Sequence, residues 1–578
     1  MRVAVAQFAT KSNFKENLTS CINMINEAAT CKPSIIVLPE FCNTLFYNDP
    51  FDNAQSYYRD HNQAWEEALS LDGIFLQRIA EQAKLHNCYI VLNITLRRDL
   101  SRDSENNQPN SSIQSNISVT SCVFSPLGKL IYQEDKQALT KHEKKYFNHS
   151  NQTAEILSTP FGNIGLLMGS ESMHYKKPRF LALHNSQLLC NSMNTFSFDQ
   201  TELHNAARAC ENNIFIASAN KTGQSQIVSP AGKVLANIAH DETGFVFADV
   251  DLADAGFNNK YRPDGTQLIK QLRPELYQTL TIARQNTSQH VAQHKTTLIK
   301  AQIPDTTNVA IFATYKSDEQ AIEDVCYYIE NNLSDIIQLP ELFFVSDKTI
   351  THNLQQLAQV ECLSQHAINQ ISAILRPFQY VCTSLIIEGM HQAVLISENG
   401  LFAIQPQLHF CQRYQWTALG EEVKTIELPL EQGNIQLTML TADDAHIPEI
   451  VDIAALNNIH VLLIPFDIQE PHEVEFALLS RAAEHRICIV AASREKSLNN
   501  ISHNTVVPSA NQNNNQKKKV KSQKVTGFIA NLTKDLPPLV KNRSLQQNGY
   551  INKPLVKYQQ GKITKALIFP IAACNKCT

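Results

Sequence analysis

The sequence predicts a layered α/β protein in which one fold is built twice. Three observations carry that expectation. Buried-strand patterns and amphipathic-helix patterns alternate from the first residues onward, as they do where helices pack on sheets. Ile35-Ile36-Val37-Leu38-Pro39-Glu40 returns about 300 positions later as Ile336-Ile337-Gln338-Leu339-Pro340-Glu341. Other segments return in the same order and at similar spacing, which a chance match of one motif would not produce.

The elements follow one another plainly. Val3-Ala4-Val5-Ala6-Gln7-Phe8 is a buried strand by composition. Leu18, Ile22, Ile25 and Ala29 share one face of a helix beginning near Asn17. The strand that ends in Glu40 comes next. Ile74, Leu76, Ile79, Ala80 and Ala83 then mark a helix over 73–87, and Tyr89-Ile90-Val91-Leu92 a strand. Ser125-Pro126-Leu127-Gly128 turns one strand back on another. The second half repeats the order, with a strand over 309–313, a helix from Gln320 to Asn331 and a hairpin around Asn399-Gly400. Phe161-Gly162-Asn163-Ile164-Gly165 is echoed by Gln432-Gly433-Asn434-Ile435-Gln436, and Arg208-Ala209-Cys210-Glu211 by Arg481-Ala482-Ala483-Glu484. The expected domains are residues 1–283 and 307–578, joined by a polar linker over 284–306. Residues 508–526, rich in asparagine and then lysine, read as a disordered loop in the second copy.

Composition excludes several classes of function. A formal charge of −5 in 578 residues steers the chain toward neither nucleic acid nor membrane. The longest apolar runs, such as Val461-Leu462-Leu463-Ile464-Pro465-Phe466, fall far short of the roughly 20 residues that span a bilayer. Met1-Arg2 leads into a short strand rather than a signal peptide. Fourteen cysteines without a spacing framework read as reduced thiols, and so as a cytoplasmic protein. Cys574 and Cys577 form a lone CxxC, which reads as a frayed tail rather than a metal pair. The few glycines form no phosphate-cradling loop, so no metal, nucleotide or flavin cofactor is expected.

Glu40 by itself is only a carboxylate at the end of a strand. Lys136, in Glu134-Asp135-Lys136-Gln137, and Glu143, seven residues further on, turn it into a candidate centre. On these residues the chain resembles the carbon–nitrogen hydrolase (nitrilase) superfamily. The likeness rests on the Pro-Glu strand, the Lys–Glu spacing and the Gly-x-Ile-Gly strand that runs to an elbow. Ser218-Ala219-Asn220-Lys221-Thr222-Gly223, Ser229-Pro230-Ala231-Gly232 and Asp249-Val250-Asp251-Leu252 extend it. Leu272-Arg273-Pro274-Glu275-Leu276-Tyr277 is similar to a C-terminal extension of some members. Residues 1–283 carry the likeness well, and 307 to about 535 more faintly.

The resemblance implies a four-layer αββα sandwich, present twice and docked as an intrachain version of the family's dimer. It implies a reaction in which a cysteine thiolate attacks an amide or nitrile carbon, a glutamate moves the protons and a lysine stabilises the developing negative charge. Glu40 would be the base and Lys136 the oxyanion stabiliser. Glu143 would hold substrate or lysine, and Glu171 and Asn194 would be binding residues. The cysteine should follow Gly162-Asn163-Ile164-Gly165-Leu166-Leu167-Met168, but the next residues are Gly169, Ser170 and Glu171. Glycine cannot form a thioester, and loss of one member of a catalytic unit costs on the order of a millionfold in turnover. In the second copy Glu341 keeps its place. Gln407 stands in the lysine slot, Tyr414 in the second-glutamate slot and Leu440 at the elbow, while Asp443 and Asp444 read as solvated or capping residues rather than metal ligands.

The expected function is a catalytically degenerate member of the superfamily that binds a small amide, amine or carboxylate. One alternative is an active amidohydrolase using Ser170, or water activated by Glu40. Another is a structural or regulatory partner of an active homologue. Neither nucleic acid nor membrane is an expected partner, and further homo-oligomerisation is left open. Cys42 and Cys190, the other thiols near the candidate centre, read as small buried apolar residues.

Overall fold

The computed structural model describes residues 1–46, 58–98, 116–195, 203–280, 304, 306–314, 316–345, 353–470, 472–485, 487–497, 524–532, 551–552 and 567–570. The chain divides into two units, with Lys260 in the first and Tyr261 opening the second. The polar linker expected over 284–306 lies almost wholly outside the described residues, as do positions 508–523 of the expected loop and the CxxC at 574–577. Positions 524–526 are not loop: they begin a strand. No helix among the described residues is long and apolar enough to cross a membrane.

The described strands of the first unit are β1 (Arg2–Gln7), β2 (Ile35–Val37), β3 (Tyr89–Arg97), β4 (Ile117–Phe124), β5 (Leu130–Asp135), β6 (Leu157–Thr159), β7 (Gly162–Met168), β8 (Leu188–Ser192), β9 (Phe215–Ala219), β10 (Ser225–Val228), β11 (Val234–Ile238) and β12 (Gly244–Asp249). They form two six-stranded sheets, in the orders β12-β1-β2-β3-β4-β5 and β11-β10-β9-β8-β7-β6. Strand alternation gives each sheet two different faces. Val3 and Val5 pack with Ile164, Leu188 and Phe215 between the sheets, while Ala4 and Ala6 meet Ile25, Phe75 and Ile79 of the outer helices. Those helices have clear ends. Asn13 caps Phe14–Ala29 by accepting a bond from the Lys15 N–H, and Asn87 ends Ile74–His86 in the left-handed conformation at φ 50°. The turn at Gly128 (φ 71°) lies against Ala80, whose carbonyl oxygen is 2.8 Å from where a β-carbon would stand.

The second unit contains β13 (Thr306–Ile311), β14 (Ile336–Glu341), β15 (Tyr380–Ile387), β16 (Met390–Ser397), β17 (Gly400–Pro406), β18 (Ile426–Leu430), β19 (Gly433–Met439), β20 (Val461–Pro465), β21 (Cys488–Ser497), β22 (Lys524–Leu532), β23 (Ile551–Asn552) and β24 (Leu567–Pro570). Its sheets run β17-β16-β15-β14-β13-β24 and β18-β19-β20-β21-β22-β23, the same two orders as in the first unit. Val309, Ile336 and Leu395 meet Ile435, Leu437 and Val461 between the sheets. The helices Asp318–Glu330 and Leu354–Ile374 cover the outer face of the first of them.

The expected boundary at 283 is corrected by the packing of residues 261–277. This polar segment belongs to the second unit because its hydrogen bonds are made there. Gln271 Nε2 donates to the Phe410 carbonyl at 2.9 Å, and Arg273 Nη1 to the carbonyls of Leu408 and Gly420, both at 2.7 Å. Tyr277 and His409 are bonded at 2.9 Å. Arg273→Ala would strand two carbonyls, so it is expected to destabilise the second unit by about 2 kcal/mol, measured by urea denaturation.

Candidate functional site

The site of the first unit is assembled from three strand ends. Just past β2 the Glu40 N–H donates to the Met193 carbonyl at 3.1 Å. Phe41 then takes the left-handed conformation (φ 57°), unusual for a bulky residue, and its N–H is held by Asn93 Oδ1 at 3.0 Å. Lys136 follows β5, its N–H bonded to the Val119 carbonyl at 2.8 Å. Its ammonium donates to Glu40 Oε1 and to Glu143 Oε1, each at 2.7 Å. Glu143 is set by a capping box: its other oxygen accepts from the Thr140 N–H at 2.7 Å, and Thr140 Oγ1 accepts from the Glu143 N–H at 3.3 Å. All three charged side chains are fully buried.

Gly169 follows β7 with φ 54° and faces this triad. A β-carbon there would stand 2.6 Å from Lys136 Nζ and 2.8 and 2.9 Å from the Glu40 oxygens. The glutamate and lysine ends therefore occupy the approach to the slot where sequence reasoning places the missing nucleophile. Ser170 makes no hydrogen bond to Glu40 or Lys136 among the described residues, and Cys42 is buried with its thiol directed to the Pro39 carbonyl at 3.2 Å.

Burial raises the Glu40 carboxyl to about 7, although Lys136 pulls the other way. Burial by itself would lower the Lys136 ammonium, but Glu143 and Glu40 outweigh it and hold that group above its ordinary value. Lys221 was not singled out by sequence reasoning beyond its place in the Asn220-Lys221-Thr222-Gly223 motif. It is fully buried, and burial lowers its ammonium to about 7. Its Nζ donates to the carbonyls of Thr44 and Phe46 at 3.0 and 3.2 Å, so it fixes the loop that follows Glu40.

The two expected binding residues take different positions. Glu171 is a tie: Oε1 accepts from the N–H groups of Gln137 and Ala138, and Oε2 from the Met168 N–H and from Lys177. It joins the lysine strand to the elbow, and all four of these bonds are internal. Asn194 is 4% exposed and donates to the Phe46 carbonyl at 2.8 Å. Its Oδ1 and the Oε2 of Glu40 are buried without a hydrogen-bond partner among the described residues.

In the second unit the same backbone bonds carry different side chains. The Glu341 N–H meets the Phe466 carbonyl, the left-handed Leu342 (φ 40°) is held by Ser384 Oγ, and the Gln407 N–H meets the His391 carbonyl. Gln407 Oε1 bonds His391 Nδ1 at 2.7 Å, and His391 Nε2 bonds Ser384 Oγ at 3.0 Å. A hydrogen-bonded chain thus runs through the lysine slot. Asp444 is not solvated but buried: it accepts from the N–H groups of Leu408 and His409, as Glu171 accepts from Gln137 and Ala138. Asp443 is likewise buried and ion-paired.

Residues 2–258 match the carbon–nitrogen hydrolase family. Over this region the chain is similar to members of the nitrilase superfamily. It is 26% identical over 298 residues to the omega-amidase NIT2 of Bos taurus, covering 48% of this chain and 96% of that protein. It is 30% identical over 180 residues to a probable nitrilase of Schizosaccharomyces pombe, covering 29% of this chain and 64% of that protein. Among solved structures, an amidase from Nesterenkonia sp. matches with 20% identity and a TM-score of 0.35, covering 44% of this chain and 92% of that one.

Two outcomes follow from the geometry. Gly169→Ala forces a β-carbon into contact with Lys136 and Glu40 and is expected to cost about 1–3 kcal/mol in unfolding free energy, as overpacking does. Glu40 takes up its proton more readily folded than unfolded. Its contribution to stability is therefore full below about pH 4.5 and fades as pH rises toward about 7. Glu40→Gln keeps the size and does not titrate. Its stability relative to the parent should rise across that window, read from urea denaturation at each pH.

Proposed function

We propose that the first unit is a hydrolase-derived pocket that binds a primary carboxamide without turning it over, and that the second unit is a diverged copy of the first. The observation that carries the binding reading is the pattern of unmet hydrogen bonds. An ammonium has three N–H donors, and two of Lys136's go to Glu40 and Glu143. The third can meet a carbonyl oxygen. Two buried atoms without partners among the described residues, Glu40 Oε2 and Asn194 Oδ1, are both acceptors and call for N–H donors. A primary amide offers one acceptor and two donors. A carboxylate ligand brings only acceptors against two carboxylates, and an amine offers nothing to the lysine.

Glycine at position 169 supports the absence of turnover, because no covalent intermediate can form on it. The amide class also agrees with the omega-amidases among the similar proteins. The duplication is supported by the shared strand orders and by the equivalent backbone bonds at Glu40 and Glu341, at Lys136 and Gln407, and at Glu171 and Asp444.

Calorimetric titration of the purified chain with primary amides, dicarboxylate monoamides among them, and with the matching acids and amines tests the reading. Binding is expected for amides alone, with no ammonia released on prolonged incubation. Tighter binding of the acids would remove the carboxamide assignment, and steady ammonia release abolished by Glu40→Gln would remove the silent-pocket reading altogether. Gly169→Cys is expected to gain slow ammonia release from the same amides, if Lys136 and Glu40 withdraw by the few tenths of an ångström the side chain needs.

A further inference from the structure

Arg413 closes the second pocket from within. Its Nη2 donates to Asp443 Oδ2 at 2.9 Å and to Glu341 Oε2 at 3.4 Å, and its Nη1 to Asp467 Oδ2 at 2.9 Å. The side chains of Glu341 and Asp443 are 1% exposed, and that of Arg413 14%. Asp467 follows Phe466, whose carbonyl accepts the Glu341 N–H, just as Asn194 follows Met193, whose carbonyl accepts the Glu40 N–H. Glu341 and Asp467 therefore stand where Glu40 and Asn194 stand in the first unit. There Glu40 Oε2 and Asn194 Oδ1 have no hydrogen-bond partner among the described residues. Here one guanidinium meets both slots.

We propose that the second unit carries a guanidinium-binding site whose resident ligand is its own Arg413. A planar fork of five N–H donors can reach three carboxylates at once, which a compact ammonium cannot do. Burial disfavours the charge on Arg413, yet Asp443 and Glu341 outweigh it and hold the guanidinium well above its ordinary value. Burial would raise the Asp443 carboxyl, but Arg413 and Arg262 pull it below the ordinary carboxylate range. Arg262 does not replace Arg413: its Nη2 lies 3.7 Å from Asp443 Oδ1 and 3.5 Å from Glu473 Oε1, outside good hydrogen-bonding distance. His446 faces Glu473 at 3.2 Å, and Tyr414 packs beside Arg413. Asp264, Cys411 and Asp443 place oxygen and sulfur atoms within 4.8 Å of one another, but the two arginines already hold the place of a cation there. The inference stands apart from the ligand proposed for the first unit.

The test uses the full-length chain. Arg413→Ala leaves three carboxylates facing one another and is expected to lower the Tm by roughly 5–15 °C, as breaking a buried ion cluster does. Millimolar ethylguanidinium should restore at least half of that loss, whereas ethylurea, which has the shape without the charge, and ethylammonium at equal ionic strength should not. The parent protein should respond to none of them. An unchanged Tm in Arg413→Ala, or equal recovery with ethylurea or ethylammonium, would overturn the proposal. If the variant is recovered only as insoluble protein, its refolding yield from urea should rise with ethylguanidinium, and no rise counts equally against it. Arg413→Lys keeps a cation in place. It is expected to lose less Tm and to ignore ethylguanidinium, and a response there would also sink the assignment.

Discussion

The first unit's site depends on one arrangement, an ammonium held between two carboxylates with all three side chains fully buried. A lone buried ammonium would shed its proton, and two carboxylates at this separation would not both stay charged. Lys136 with Glu40 and Glu143 resolves both problems at once. Removing Lys136 would leave two buried carboxylates without a cation, which is far costlier than the ion pairs are favourable. The triad also ties together the ends of β2 and β5 and the capped turn at Thr140. The fold therefore has its own reason, apart from any chemistry, to keep these three charged residues together.

The second unit answers the same packing problem with different chemistry. Gln407, His391 and Ser384 form a hydrogen-bonded chain where the lysine side chain would be, and every member is buried. The carboxylate that stays, Glu341, then needs a new cation, and Arg413 supplies it from the loop after the lysine slot. Glu171 and Asp444 differ in length but clamp the same two consecutive backbone N–H groups. The acid that ties the elbow to the lysine strand is thus common to both units, whereas the lysine and second glutamate occur in the first alone.

What the sequence disclosed was local. The Pro-Glu strand end, the Lys–Glu spacing and the glycine after a buried strand each lie within a short window, and the structure brings Glu40, Lys136, Glu143 and Gly169 together. Strand and helix positions were legible for the same reason, since periodicity records which face is buried. What escaped depended on segments that meet only after folding. Glu171 looked like a pocket acid because nothing in its neighbourhood in the sequence shows the backbone of Gln137 and Ala138. Arg413 gave no signal, since a surface arginine and a buried one read alike. Residues 261–277 were assigned to the first unit because their family likeness follows the chain, while their hydrogen bonds follow the second unit.

The two elbows differ in a way that bears on why the nucleophile position could drift. Left-handed backbone costs an ordinary residue about 1–2 kcal/mol, which active sites tolerate when the surroundings enforce it. At position 169 glycine meets the same conformation without that cost and removes the β-carbon that would press on Lys136. In the second unit the elbow residue is Leu440, which is not among the described residues with positive φ. On the proposed duplication, the backbone there has relaxed. The left-handed residues after the two glutamates, Phe41 and Leu342, have not relaxed, because Asn93 and Ser384 hold their N–H groups in place. On the proposed duplication, strain persists where a hydrogen bond pins it and disappears where only catalysis required it. A nucleophile position freed from catalysis would be expected to drift toward stability in just this way.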